Sequence, residues 1–235
     1  MPRVLVGELM DDPALDPKEH AHALAGLARL NALSGVVGQF YPFLKERAQR
    51  LERPLTIVDI ATGSADVPVA LLERARRDGL RFDITACDIS PVALTNARER
   101  AESAGVELAT SELDILRQDP PRADVLMCAL FLHHLSDRDV CLVLAKMANA
   151  AHGQILISDL RRGPWGTALA GVIPRVSTGS HIVHVDALRS ARAALSIGEV
   201  RSMTRGIAGG DGWRVRRAFP ARMLISWVPP DTTPS

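Results

Sequence analysis

Asp59-Ile60-Ala61-Thr62-Gly63-Ser64-Ala65-Asp66 is the stretch on which the fold turns. An apolar, β-branched run, Leu55-Thr56-Ile57-Val58, precedes it, and a helical pattern over 67–77 follows. A strand, a tight turn of small residues and a helix open a nucleotide-binding βα unit. Laid on the dinucleotide fingerprint G-x-G-x-x-G, the three glycine positions hold Ala61, Gly63 and Asp66. A carboxylate at the third position repels a pyrophosphate. It suits a cationic ligand that has no phosphate.

Working outward, the preamble reads as helical. Asp16-Pro17 supplies a cap and first turn, with Glu19 three residues later. Leu24, Leu27, Leu30 and Leu33 then recur at helical spacing. Gly35 and Gly38 break that pattern, and a second helix is expected from Tyr41 or Pro42 to Leu51. Strands are expected over 55–61, 82–87, 106–113, 124–130 and 153–158, alternating with helices over 66–77, 91–104 and 137–150. Such alternation implies a parallel sheet covered on both faces, with right-handed crossovers. The last third departs from the rhythm. A helix over 165–173 is interrupted by Pro174, and helices over 186–195 and 197–207 are split near Ser196. Strands over 213–219 and 223–228 are joined by Pro220-Ala221-Arg222, and so short a connection requires antiparallel pairing. The expected fold class is α/β: a Rossmann-like, doubly wound, seven-stranded sheet, mostly parallel, ending in an antiparallel hairpin. Residues 1–54 would form an N-terminal helical lid and 55–228 the ligand-binding core, with a helical insertion at about 163–195 and a frayed tail over 229–235.

Bulk properties narrow the function. The 235 residues are 47% hydrophobic and 23% charged, which suits a sizeable core, and the formal net charge is +1. No global field recruits nucleic acid. Arg74-Ala75-Arg76-Arg77, Arg161-Arg162 and Arg214-Val215-Arg216-Arg217 read as solvated faces. Cys87, Cys128 and Cys141 are far apart without a C-x-x-C, which excludes a thiolate zinc cluster and argues against a disulfide framework. No run approaches 18 apolar residues and no signal-peptide pattern opens the chain, so a soluble, cytoplasmic protein without a membrane span is expected.

In a doubly wound sheet, ligands bind beyond the carboxyl ends of the strands. Four expected strands end near an acid: Asp59, Asp88, Asp114 and Asp159. Asp88, followed by Ile89-Ser90-Pro91, can accept both hydroxyls of a ribose or cap the next helix. Asp114-Ile115 pairs a side-chain acceptor with a backbone N–H, which can read an adenine amino group and its neighbouring ring nitrogen. Asp59 and Asp66 flank the turn, where an ammonium and a sulfonium need negative surroundings. Gly63 lets the backbone approach a ligand closely. S-adenosylmethionine (SAM), a nucleoside joined to a sulfonium amino acid, meets these demands.

Val58-Asp59-Ile60-Ala61-Thr62-Gly63-Ser64-Ala65-Asp66 resembles the first motif of class I SAM-dependent methyltransferases, especially the ubiquinone/menaquinone-biosynthesis branch. Ala86-Cys87-Asp88-Ile89-Ser90, Asp114-Ile115 and Ala129-Leu130-Phe131-Leu132-His133-His134-Leu135 support the likeness, which covers about 55–159. The resemblance implies that Asp59, Ala61, Gly63, Ala65 and Asp66 line the methionine end of SAM. Asp88 with Ile89 would hold the ribose, Asp114 with Ile115 the adenine, and Ala129 and Leu130 would lie beside the sulfonium. Ala61 and Ala65 replace glycines usual in the family, which alanine can do where φ stays negative. The segment 185–194 resembles small bacterial methyltransferases of secondary metabolism.

Methyl transfer is an in-line displacement at an activated carbon, so the protein must align the partners and exclude water. A phenol or hydroxyl acceptor gains from a base, and histidine suits neutral pH. His134, which follows the fourth strand beside His133, and His181 and His184 further on are the candidates. His181 and His184 share a side only if their segment is helical. A metal site would need a third ligand, such as Asp186 or Asp159, and no metal is expected. Leu24, Leu27, Leu30, Phe40, Tyr41, Trp165, Leu169, Val172 and Ile173 supply apolar material for an acceptor wall. The reading is therefore O-methylation of a small phenolic or polyketide-derived molecule by a monomer or homodimer. The acceptor would be aromatic or lipid-like, and not a nucleic acid. The alternatives are C- or N-methylation, a SAM-binding protein without transfer activity, and an NAD-dependent oxidoreductase, against which Asp66 speaks.

Overall fold

The computed structural model describes residues 3–7, 9, 35–177, 180–207 and 210–229. The helix expected over 16–33 and its leucines lie outside the described residues, as does the tail beyond 229.

Seven strands form one sheet: β1 (Leu55–Ile60), β2 (Phe82–Asp88), β3 (Ala109–Glu112), β4 (Ala123–Ala129), β5 (Ala151–Leu160), β6 (Trp213–Ala218) and β7 (Arg222–Trp227). Their order is β3-β2-β1-β4-β5-β7-β6. Pairs among β1 to β5 are parallel, while β7 lies antiparallel between β5 and β6. The expected seven-stranded, mostly parallel sheet with a closing hairpin is the sheet observed.

The central strands read as continuous apolar runs because both faces are covered. In β4, Val125 and Met127 join Leu55, Ile57, Leu156 and Leu224 against helices α1 (Val36–Ala48) and α2 (Asp66–Arg77). Leu126 and Cys128 face the other way, with Ile155, Ile157 and Ile225, against α4 (Asp137–Ala150). The period of two thus sorts one strand into two cores. Helix α3 (Pro91–Ala104) packs on β2 and is capped by Ser90, whose hydroxyl accepts from the Ala93 N–H. Helices α5 (Pro164–Ser177) and α6 (His181–Ala193) stand between β5 and α7 (Ile197–Arg205).

Three helices differ from expectation. Helix α1 begins at Val36, directly after Gly35 in the left-handed region (φ 71°), and runs through Gly38 and Pro42. Burial of Phe40, Tyr41 and Leu44, each at most 2% exposed, outweighs both helix breakers. Helix α5 likewise runs through Pro174. Helix α6 begins five residues early because the Ser180 hydroxyl caps it, accepting from the Val183 N–H. Strand β3 is shorter than expected, and β5 is longer, so Asp159 lies inside β5.

At the amino-terminal end of β1 and β4, Asp124 fastens the two strands. It takes both arms of the Arg53 guanidinium (2.6 and 2.7 Å) and the Thr56 N–H (3.0 Å) and hydroxyl (2.8 Å). The Arg53 fork, with the Thr56 donors, holds its carboxyl far below the ordinary carboxylate range despite partial burial.

Candidate functional site

At the opposite end of the same strands, β1 passes into the turn 61–65. Ala61 (φ 53°), Gly63 (φ 57°) and Ala65 (φ 56°) all take left-handed backbone. The condition of negative φ at the alanines is therefore not met: both adopt the conformation that favours glycine, at about 1–2 kcal/mol each. Leu130, after β4, does the same (φ 56°). Strain of this kind concentrates at functional sites because surrounding contacts must hold it in place. Those contacts are visible here. The Thr62 N–H donates to the Cys87 carbonyl (3.0 Å), and the Leu130 N–H to that of Ser158 (2.9 Å).

Asp88 ends β2 and organises the turn. One oxygen accepts from the Gly63 N–H (2.8 Å) and the other from the Ser90 N–H (2.9 Å). Ile89, beside it, is 61% exposed. Asp59 is buried, and one of its oxygens accepts from the Thr62 hydroxyl (2.7 Å). Its other oxygen is enclosed without a hydrogen-bond partner. Burial, opposed by Thr62 and reinforced by the charge of Asp88, pushes its carboxyl up to about 7. The Cys87 thiol is likewise pushed up to about 12 by burial and by these two acids.

Asp66 meets a different cation from the one expected. Arg100 of α3 pairs with it at 2.8 Å and also donates to the Ser64 carbonyl at 2.9 Å. The acid thus ties the turn to α3, a role that no local pattern announces. Asp114 accepts from the Leu116 N–H (3.0 Å) through one oxygen, and Arg117 lies 3.3 Å from the other. Ile115 next to it is buried. Hydrogen bonding of the Leu113 N–H to the Asp88 carbonyl (2.9 Å) brings this segment beside Asp88.

The segment after β4 folds into a 3-10 turn, Leu132–His134. Asp159, fully buried, holds it by accepting from the Leu132 N–H (2.7 Å) and engaging His133 Nδ1 (2.7 Å). Burial alone would raise the Asp159 carboxyl. His133, the Leu160 N–H and the charge of Arg222 outweigh it and hold the group below its ordinary value. Asp159 is therefore a carboxylate that only accepts, so His133 carries its proton on Nδ1. The His134 ring stacks on His133 at 4.1 Å and is pushed down to about 4, chiefly by burial, then by its neighbour. His134 is thus a neutral imidazole at pH 7, suited to accepting a hydrogen bond and weak as a proton acceptor.

His133 and His134 line a cavity of about 250 Å³ with Leu5, Val6, Gly7, Ser190 and Ala193. Its amino-terminal wall is latched by Arg3, a residue the sequence reading passed over. The Arg3 guanidinium donates to the carbonyls of Ala193 (2.6 Å), Leu132 and His133 (both 3.3 Å) and Leu135 (2.7 Å), and to Asp137 (2.5 Å). His181 and His184 do lie on one helix, but His181 is exposed at its first turn, about 13 Å along the axis from Ser190. The structure brings His134 to the cavity and leaves His181 outside it.

The comparisons agree with this geometry. The family described as a methyltransferase domain matches residues 57–152. The match runs from β1 to the start of β5. Demethylmenaquinone methyltransferase of Thermus thermophilus is 28% identical over 125 residues, 52% of this chain, which spans about half (54%) of that relative. Magnesium protoporphyrin IX methyltransferase of Synechocystis, solved with S-adenosylhomocysteine (SAH), superposes with a TM-score of 0.59 at 14% identity, covering 93% of this chain and 90% of that one. An O-methyltransferase family 2 protein from Planctomyces limnophilus, solved with apigenin, gives 0.63 at 21% identity, covering 93% and 63%. The matched segment holds Asp59, Asp66, Asp88, Asp114, His133 and His134, whereas Arg3, Asp159, Arg222 and the residues of α6 lie outside it. Among the described residues no helix is long and apolar enough to cross a membrane, and no cluster of three or more ligating side chains could hold a metal.

Proposed function

We propose that the protein is a SAM-dependent methyltransferase that modifies a small molecule, with the hydroxyl of a phenolic or polyketide-derived metabolite as the acceptor group. The observation that carries this reading is the enclosed, unpartnered oxygen of Asp59, beside Asp88 at the mouth of the turn. An uncompensated carboxylate at that depth is costly unless a cation answers it. The turn also has room: a Cβ built on Gly63 meets nothing within 4 Å. A cationic nucleoside fits both features, and a pyrophosphate does not.

When bound, SAM supplies a methyl group already activated on sulfur. Asp59 would give that charge a counter-ion, and the 61–65 backbone would line the methionine end. Each Asp88 oxygen retains a lone pair after serving the turn and can accept a ribose hydroxyl. Asp114 and Ile115 would meet the adenine edge, and Ala129 and Leu130 would lie beside the sulfonium. His134 orients the acceptor hydroxyl by accepting its hydrogen bond, which serves in-line alignment better than proton removal does. The apigenin-bound neighbour supports a phenolic acceptor, and the apolar cavity wall of Leu5, Val6 and Ala193 agrees with it.

Thermal-shift titration tests the reading. SAM and SAH should both stabilise the protein, and NAD should not. Asp88→Ala should weaken SAM by about 100-fold in calorimetry, the loss of two charge-assisted hydrogen bonds. Absence of stabilisation by either sulfur nucleoside sinks the proposal. Transfer from labelled SAM into cell extracts, followed by mass analysis, identifies the acceptor.

A further inference from the structure

Four polar side-chain atoms among the described residues are enclosed without a partner: Asp59 Oδ1, Arg161 Nε, Trp213 Nε1 and Arg222 Nη1. Trp213 begins β6, far along the hairpin from its turn. The other three lie at the carboxyl end of the parallel strands. Asp59 is the acid of the cofactor half. Arg161 and Arg222 belong to the other half, across β4, and the ladder makes them neighbours. Arg222 stands opposite Leu160, and the Arg161 N–H donates to the Ala221 carbonyl at 2.9 Å.

Arg222 is the more demanding of the two. It is only 6% exposed. Among the described residues its guanidinium makes no ion pair, and Asp159, already satisfied by His133, Leu132 and Leu160, touches it only through its field. A buried guanidinium without hydrogen bonds is strongly disfavoured. The chain even strains itself at this point: Ala221, immediately before it, has φ 49°. At this end of β5, Glu199 is taken by Arg162 at 2.5 Å and Asp159 by His133 at 2.7 Å, which leaves Arg161 and Arg222 without an ion pair among the described residues. The surplus is positive, opposite in sign to the surplus around Asp59. Gln39 lies on the same side, bonded to the Ser158 hydroxyl and the Phe219 carbonyl, and is a neutral neighbour.

We propose that Arg222, with Arg161 beside it, recognises a carboxylate on the molecule to be methylated. The claim rests on the methyltransferase reading, because it takes the β4–β5–β7 end as the acceptor half. Guanidinium presents a planar fork that matches a carboxylate, which an ammonium or an amide cannot do. The two halves are then complementary: an anionic floor under the cationic donor and a cationic anchor for an anionic acceptor.

The test uses the full chain saturated with SAH, titrated with benzoate and with benzamide by ligand-observed NMR. Benzoate should bind at least about tenfold tighter than benzamide, and Arg222→Gln should abolish that preference while SAH binds within twofold of its original affinity. Arg222→Lys, which keeps charge but loses the fork, should retain part of it. Benzoate that fails to bind, or that binds benzamide-like or equally well to Arg222→Gln, overturns the proposal. If Arg222→Gln does not fold, the benzoate-to-benzamide ratio of the unaltered protein and of Arg222→Lys decides. Failure of SAH to bind, seen before any benzoate is added, strikes the methyltransferase reading instead.

Discussion

β1 and β4 carry a buried acid at each end, and the two acids live opposite lives. Asp124, at the amino-terminal end, accepts four hydrogen bonds and sits far below the ordinary carboxylate range. Asp59, near the carboxyl end of β1, accepts one and is pushed up to about 7. The backbone differs in the same sense: among the described residues no left-handed non-glycine residue flanks Asp124, while Ala61 and Ala65 follow Asp59 in the turn and Leu130 follows β4. One end of the strands is finished by the protein alone. The other is left incomplete, which is what a binding end requires and a structural end does not.

Replacing each acid by its amide separates the two. Asp124→Asn should lower stability by about 2–3 kcal/mol in denaturant unfolding, below the cost of orphaning a fully buried charge because the Arg53 side chain can turn to water. SAM affinity should be unaffected. Equal destabilisation by Asp124→Asn and Asp59→Asn would erase the contrast.

Asp59→Asn should act in the reverse direction. A carboxyl raised in the folded state contributes stability below its unfolded value that is lost as pH rises toward the folded one. The protein without ligand should therefore lose stability between about pH 4 and pH 7 through Asp59, seen as a falling Tm. Asp59→Asn should remove that part of the slope, raise stability at pH 8 by about 1–3 kcal/mol, and weaken SAM. A variant with the original slope would show that the carboxyl is not raised. Asp124, Asp159 and Glu199, all lowered, give slopes of the opposite sign at more acidic pH.

The smallest effect sharpens the backbone half of the contrast. Ala61→Gly relieves left-handed strain but adds freedom to the unfolded chain, for a net gain of about 0.5 kcal/mol. Ala65→Gly also deletes a fully buried methyl that packs against Val69 and Ala97, so its gain should vanish. Equal gains from both would mean that this methyl contributes nothing.

What could be read in advance followed short-range rules. Short apolar runs alternating with helical patterns define the sheet, and Asp88 or Asp114 at a strand end needs only its immediate sequence. Single residues with strong propensities misled where burial overruled them, as at Gly38 and Pro42. The φ values of Ala61 and Ala65 follow from what the turn must hold, and alanine does not advertise them. Arg100 on Asp66, Arg3 on the loop after β4 and Arg222 beside Leu160 are meetings of distant residues, for which neither period nor spacing leaves a mark. The histidine pairs divided on the same ground: His133 and His134 are placed by Asp159, 26 residues away from His133.

Arg3 also sets an order in time. Its contacts join it to residues as far as Ala193, 190 positions later. On a ribosome adding about 5–20 residues per second, the arginine waits roughly 10–40 s for its last carbonyl to emerge. The sheet from β1 to β5 can assemble meanwhile. The chamber beside His134 closes only after most of the chain has been made, with the hairpin of β6 and β7 still to follow.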